Sequence, residues 1–197
     1  MLRRLARVAA LAGAAFAVGV AVSGGRGREL DEDAFRAVNG GHGPEADGFF
    51  AGVTELGSWW AASAAAVALA GAGRRREASR ALAAASATWL AGQGLKKLFL
   101  RPRPYEADPE GTRLMIGKPK ATSWPSSHPA VLVTFLSVAG RELRVGRLPC
   151  AALAGLAAAV GTSRVYLGVH YPGDVVGGML LGRAVAAAFP NGGRDHR

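Results

Sequence analysis

Three short segments concentrate the polar chemistry of an otherwise apolar chain. The first, KKLFLRPRPYE, carries Lys96 and Arg103-Pro104 with six residues between them. The second, TSWPSSHPA, carries Pro125, Ser126, Ser127 and His128 directly ahead of an apolar run. The third, SRVYLGVHYPGD, carries Ser163-Arg164, His170 and Asp174, with five and then three residues between them. Ionisable groups beside apolar helices are costly to keep there, so a cluster of them calls for a functional explanation.

As chemistry, the set is a site for an oxyanion with a nucleophile and an acid beside it. Arg103 and Arg164 offer planar forks of donors and Lys96 a point charge, a combination suited to the charge that a phosphoryl group spreads over its oxygens. Ser126, Ser127 and the backbone N–H groups at the start of the next helix add donors where the helix dipole already favours an anion. A neutral imidazole can attack phosphorus, which splits the reaction into formation and hydrolysis of a phosphohistidine. Asp174 lies four residues after His170, within one helical turn, and can hold one ring nitrogen while the other is aimed at phosphorus. Pro172 fits the first turn of a helix starting there, because its missing N–H costs no helical bond. The expected roles are therefore His170 as nucleophile, Asp174 as its orienting carboxylate, and His128 as general acid to the leaving oxygen.

These segments, in this order and spacing, resemble the type 2 phosphatidic acid phosphatase superfamily of membrane lipid phosphate phosphatases. The match is Lys96 with Arg103-Pro104, then Pro125-Ser126-Ser127-His128, then Ser163-Arg164, His170 and Asp174. Ser127 stands where the family usually has glycine, and a positive φ at that position would strain it. The resemblance implies hydrolysis of a lipid or polyprenyl phosphate or diphosphate at the membrane surface, with no cofactor. Candidate substrates are undecaprenyl or decaprenyl phosphates, phosphatidate and phosphatidylglycerol phosphate. The same constellation holds vanadate in the related haloperoxidases, which are larger soluble proteins. A phosphohistidine intercepted by an alcohol would make a phosphoryl transferase, and a non-catalytic lipid-binding protein would tolerate loss of the two histidines.

What must position these segments is a set of apolar runs: Leu5 to Val22, Ser58 to Ala72, Ala78 to Leu95, Pro129 to Gly140, Leu148 to Gly161 and Val175 to Phe189. The first has 18 residues, apolar except for Arg7, and would be roughly 27 Å long as a helix, close to the hydrocarbon thickness of a bilayer. Its basic start and the Ala21-Val22-Ser23 end also fit a signal peptide. The expected architecture is an all-α integral membrane bundle of about six transmembrane helices forming one domain over residues 1–197. Residues 1–23 would be the first span and 96–174 the catalytic motifs. Several runs are short and rich in Ala and Gly, which accounts for a mean hydropathy of only +0.16. Trp59, Trp60 and Trp124 sit at run ends where aromatic belts form. Gly178 and Gly182, at helical spacing, permit close helix approach.

The 197 residues are 50% hydrophobic and carry a net charge of +10. The arginines fall in short clusters between apolar runs, without a basic helical face or a nucleic-acid-binding motif, so no nucleic acid partner is expected. The expected partners are a lipid phosphate substrate and membrane lipids. A single cysteine, Cys150, excludes an intrachain disulfide framework, and it is expected to be an inert core residue. No metal is expected, since the acids from Glu29 to Asp33 form an exposed-looking run far from the cationic motifs. Gly24 to Gly48 is expected to be a polar loop, Arg101 an interfacial residue, and His42 and His196 solvated. The short loops holding Arg74 to Arg80 and Arg141 to Arg147 place both termini in the cytoplasm and the catalytic motifs on the extracytoplasmic side of a multi-pass cell-membrane protein.

Overall fold

The computed structural model describes residues 1–190, together with the backbone but not the side chain of Leu148. Among them it is all-helical: α1 Leu2–Ala21, α2 Gly25–Asn39, α3 Pro44–Glu55, α4 Trp59–Gly71, α5 Arg75–Phe99, α6 Pro104–Ala107, α7 Ser127–Glu142, α8 Arg147–Tyr166 and α9 Pro172–Ala188. Each of the six apolar runs lies on one helix, in order α1, α4, α5, α7, α8 and α9. Of these, α1 alone is long and apolar enough to cross a membrane by length and composition. Large apolar side chains nevertheless face outward along several helices, including Phe16, Trp60, Val67, Leu90 and Val176. His196 lies outside the described residues.

The centre of the bundle is α7 and α9, with α1 packed along α9, α5 along α7, α4 on α5, and α3 and α7 on α8. Small side chains make this tight packing possible. Ala62, Ala66, Ala78, Ala81, Ala84 and Ala85 from α4 and α5 pack with Val131, Phe135 and Val138 of α7. A Cβ on Gly178 would strike the Ser126 carbonyl, and one on Gly182 the Ala130 carbonyl, so both glycines let α9 lie directly on the backbone of α7. One hydroxyl then links three helices: Thr134 Oγ1 is 2.8 Å from Thr88 Oγ1 of α5 and donates to Gly182 O of α9 at 3.1 Å.

Gly24 to Gly48 is not a loop. It forms all of α2 and the start of α3, short amphipathic helices whose many charges hide their periodicity: Phe35, Asn39 and Asp31 of α2 are buried while its Arg28 and Arg36 pair with acids on its own exposed face. Both helices fasten the segment that follows α6. Asn39 accepts from Arg113 N and donates to the carbonyls of Arg113 and Tyr166, while Asp47 of α3 receives both Arg113 and the Tyr166 hydroxyl. Those two donors hold the Asp47 carboxyl down to about 2. His42, though exposed, stacks on the Tyr166 ring at 5.7 Å. Trp124 is no interfacial residue; it is fully buried against Phe99, at a ring distance of 4.0 Å. Cys150 is exposed rather than a core residue, in an open groove that α8 forms with α7 and α9.

At the end of the bundle away from the motifs, arginines close α9. Arg4 donates to Ala188 O, Arg141 to Ala186 O and Phe189 O, and Arg80 to Pro190 O. These carbonyls have no helical partner, and the negative end of the dipole favours a cation there. Arg80 and Lys96 both lie on α5 and are sixteen residues apart, roughly 24 Å at helical rise. The site and this arginine cluster therefore occupy opposite ends of the bundle.

Candidate active site

The three motifs meet where α5 ends and α7 and α9 begin. α5 stops at Leu100, which takes a left-handed conformation with φ 47°. The last turn leaves Lys96 buried, with Nζ donating to the carbonyls of Thr122 and Ser123 at 2.6 and 3.0 Å. Arg103 caps the short α6. Its Nε donates to Ala121 O at 2.6 Å and its Nη1 to Val169 O at 2.7 Å, which leaves Nη1 3.2 Å from His170 Nε2. Arg164, in the last turn of α8, reaches Thr54 Oγ1 at 2.8 Å.

His170 sits between α8 and α9 and is 2% exposed. Its backbone N–H is held by Arg164 O at 3.2 Å, and Pro172 is the first residue of α9, as its fixed φ suits. Asp174, in the first turn, has no exposed surface. Its Oδ2 accepts from Tyr171 N at 2.9 Å and from Ser123 Oγ at 2.5 Å, and lies 3.4 Å from His170 Nδ1. With a hydrogen on Nδ1, the lone pair of the ring is on Nε2. Burial pushes the imidazole well below its ordinary range, with the Asp174 hydrogen bond opposing that and the charges of Arg103 and Lys96 reinforcing it. The ring is thus neutral near pH 7, the form that can act as a nucleophile.

α7 supplies the remaining residues. Its start is locked to α9, because Ser126 N donates to Asp174 O at 3.0 Å. Ser127 is the first helical residue and does not have positive φ, so the serine at the usual glycine position is not strained. His128 follows, near enough to Arg164, Arg103 and Lys96 for all three charges to act on its ring. It is packed under Gly57, where a Cβ would come within 2.9 Å of His128 Cβ. The fold therefore brings together Lys96, Arg103, Ser126, Ser127, His128, Arg164, His170 and Asp174.

Hydrogen-bonding demand in this cluster is incomplete in a telling way. Among the described residues six buried side-chain polar atoms lack a partner, and three of them are Ser126 Oγ, Ser127 Oγ and Arg164 Nε. Buried donors are rarely left unpaired, because each costs about 1–3 kcal/mol, so their occurrence on three residues of the motifs suits an acceptor-rich ligand. Among the described residues no group of three or more His, Cys, Asp or Glu side chains is placed to hold a metal ion.

Ser123, which donates to Asp174, escaped the sequence reading, and so did an ion-paired couple behind it. Arg101 is buried, not interfacial, and Asp31 is buried, not part of a solvated run. Arg101 Nη1 meets Asp174 Oδ1 and Nη2 meets Asp31 Oδ2, both at 2.7 Å. The pairing joins residues 70 positions apart, which no local spacing reveals.

The model of the PAP2 superfamily matches residues 76–196. The decaprenylphosphoryl-5-phosphoribose phosphatase of Mycobacterium tuberculosis is 33% identical over 124 residues, 62% of this chain and 66% of the relative. The protein of that name from Mycolicibacterium smegmatis is 34% identical over 63% of this chain and 64% of its own. The chain thus spans just under two thirds of the length of these curated relatives. Among solved structures, a transmembrane PAP2 type phosphatidylglycerolphosphate phosphatase from Bacillus subtilis superposes with a TM-score of 0.72 at 23% identity, covering 91% of this chain and 92% of that one. Aquifex aeolicus LpxE gives 0.69 at 28% identity, covering 80% and 92%.

Proposed function

The chain belongs to the PAP2 superfamily, and from that membership we propose that it is a multi-pass membrane phosphatase acting on a lipid or polyprenyl phosphate or diphosphate. The observation that carries the reading is the set of unpartnered buried donors, Ser126 Oγ, Ser127 Oγ and Arg164 Nε, beside a neutral, buried imidazole. In this reading α1, α4, α5, α7, α8 and α9 cross the bilayer and the site faces the extracytoplasmic side. The packing of α1 along α9 supports its being a retained helix of the bundle. An amphiphilic substrate leaves its tail among the helices while its head group meets the cationic end.

The reaction follows from the geometry. In the resting site an Arg103 N–H can donate to the lone pair on His170 Nε2. A bound phosphoryl group takes over that donor, together with Lys96, Arg164 and the two serines, and so frees Nε2 to attack. Attack forms the N–P bond as the P–O bond to the leaving group breaks. A protonated His128 gives its proton to that oxygen, since the arriving anion offsets the three cations around its ring. Asp174 stabilises the positive charge that His170 acquires. Water, deprotonated by His128, then attacks phosphorus from the opposite side, releasing inorganic phosphate and restoring the imidazole.

The experiment is phosphate release by the purified protein against a panel of lipid phosphates. A polyprenyl-linked phosphoribose heads the panel, because that is the substrate named for the mycobacterial relatives. Turnover on at least one member, insensitive to excess EDTA and inhibited competitively by vanadate, is the expected result. Release that stops in EDTA and returns with magnesium would contradict the proposed mechanism.

A further inference from the structure

Arg101 matches none of the motif positions, yet its surroundings are built with care. Its guanidinium divides between two carboxylates from different helices, Asp31 of α2 and Asp174 of α9, and its carbon lies 4.2 Å from the centroid of the Tyr171 ring. The other oxygen of Asp31 accepts from Gly173 N at 2.7 Å. Glycine leaves room for this contact, since a Cβ on residue 173 would come within 2.6 Å of Val22 Cγ1 and 2.9 Å of Asp31 Oδ2 and displace one of them. α2 is thereby fastened to the first turn of α9, one residue from the carboxylate that faces His170.

We propose that Arg101 and Asp31 are positioning residues, which act through Asp174 to keep it ionised and turned toward His170 Nδ1. The inference rests on the phosphatase reading of the site and adds two residues to it. Asp174 has two oxygens with different tasks: Oδ1 faces Arg101, while Oδ2 faces Ser123, Tyr171 N and His170. A guanidinium bound to Oδ1 stops the carboxylate from rotating, and its charge compensates the burial of two acids. Burial already pushes the Asp31 carboxyl up against the pull of Arg101. Without Arg101, two buried carboxylates would face each other across the vacated space, and like charges so placed take up a proton between them. A protonated Asp174 no longer anchors the Nδ1 hydrogen. A planar fork lying on an aromatic ring can serve both acids at once, which a lysine ammonium does less well.

The other charged and titratable groups around this cluster are Lys96 of α5, Arg103 before α6, Arg28 and Glu32 of α2, and His170 and Tyr171 before α9. None of them supplies a second cation to both carboxylates.

The test measures kcat and KM against pH for wild type, Arg101→Gln, Arg101→Lys, Asp31→Asn and the Asp31→Asn/Arg101→Gln pair, with a lipid phosphate and an aryl phosphate. Arg101→Gln should lower kcat about a hundredfold, as expected for misplacement on the order of 1 Å, and leave KM within roughly threefold because the phosphate donors are intact. Its acid limb should move up by roughly one to three pH units. Arg101→Lys should recover part of kcat. Adding Asp31→Asn should return the acid limb toward wild type, because the second carboxylate is gone. An unmoved limb in Arg101→Gln, or a shift that persists in the pair, would overturn the inference. Should Arg101→Gln fail to accumulate, Asp31→Asn alone decides: a kcat lowered roughly tenfold at nearly constant KM supports the role, and an unchanged kcat overturns it. Absence of turnover in wild type would instead remove the phosphatase reading beneath it.

Discussion

The two nitrogens of His170 face two groups of cations that the protein treats in opposite ways. Arg103, which meets Nε2, directs its other hydrogen bonds to neutral oxygens, as do Lys96 and Arg164 of the motif cluster: the acceptors are the carbonyls of Thr122, Ser123, Ala121 and Val169 and the Thr54 hydroxyl. On the Nδ1 side, Arg101 is matched by two carboxylates at 2.7 Å each. Buried charge without a counter-ion is costly, and the proposed function accounts for it on the first side by an anion that arrives with the substrate. Buried charge that is already matched, as on the second side, fixes geometry. In the proposed reading, position relative to one ring separates ligand-binding cations from a structural one better than residue type does.

The largest effect tests the ring that divides the two sides. His170→Ala should reduce turnover by about 10⁴-fold or more, since the intermediate cannot form; phosphate release near the wild-type rate would end the assignment. Next comes an exchange of losses between the two arginine types. Arg164→Met should lose roughly 10²–10³-fold in kcat/KM while costing only about 1 kcal/mol of stability, the worth of the Thr54 hydrogen bond. Arg101→Met should destabilise the fold by about 3–5 kcal/mol, because it leaves two buried acids unpaired. Thermal unfolding in detergent beside steady-state kinetics reads both, and equal stability losses would erase the comparison.

The sequence made one side of this comparison visible and hid the other. Lys96, Arg103, Arg164, His170 and Asp174 recur at fixed short spacings, because each motif is a helix end or the turn beside one and its geometry is local. The six apolar helices α1, α4, α5, α7, α8 and α9 were legible as apolar runs for the same reason. α2 and α3 were not, since Glu29 to Asp33 and the neighbouring arginines mask an amphipathic helix as a charged loop. Arg101 and Asp31 were missed because their meaning lies in a contact between separate helices. Trp124 was misplaced by an end-of-run rule that ignores the small residues, Gly19 and Gly177, that open space for its ring.

Smaller effects sharpen the account. Gly178→Ala should cost about 1–3 kcal/mol by forcing α9 off the Ser126 carbonyl, and it should lower kcat because Ser126 N is bonded to Asp174 O. An alanine variant with wild-type stability and rate would show that α7 and α9 can part freely. The pH dependence of stability has a definite sign. His170 titrates well below its ordinary range in the folded protein, so the unfolded chain binds the extra proton first as pH falls below about 6.5. Its contribution is intact above that value and is lost progressively below it. His170→Gln should therefore flatten the decline in stability on the acid side; an unchanged slope would show that His170 does not contribute.

The most direct measurement of the central claim is to trap the intermediate. A substrate pulse quenched in base, which preserves phosphohistidine, followed by peptide mass spectrometry, should place phosphate on His170 in wild type and on no residue in His170→Ala. Turnover with no phosphorylated histidine, or with phosphate on His128 instead, would contradict the account.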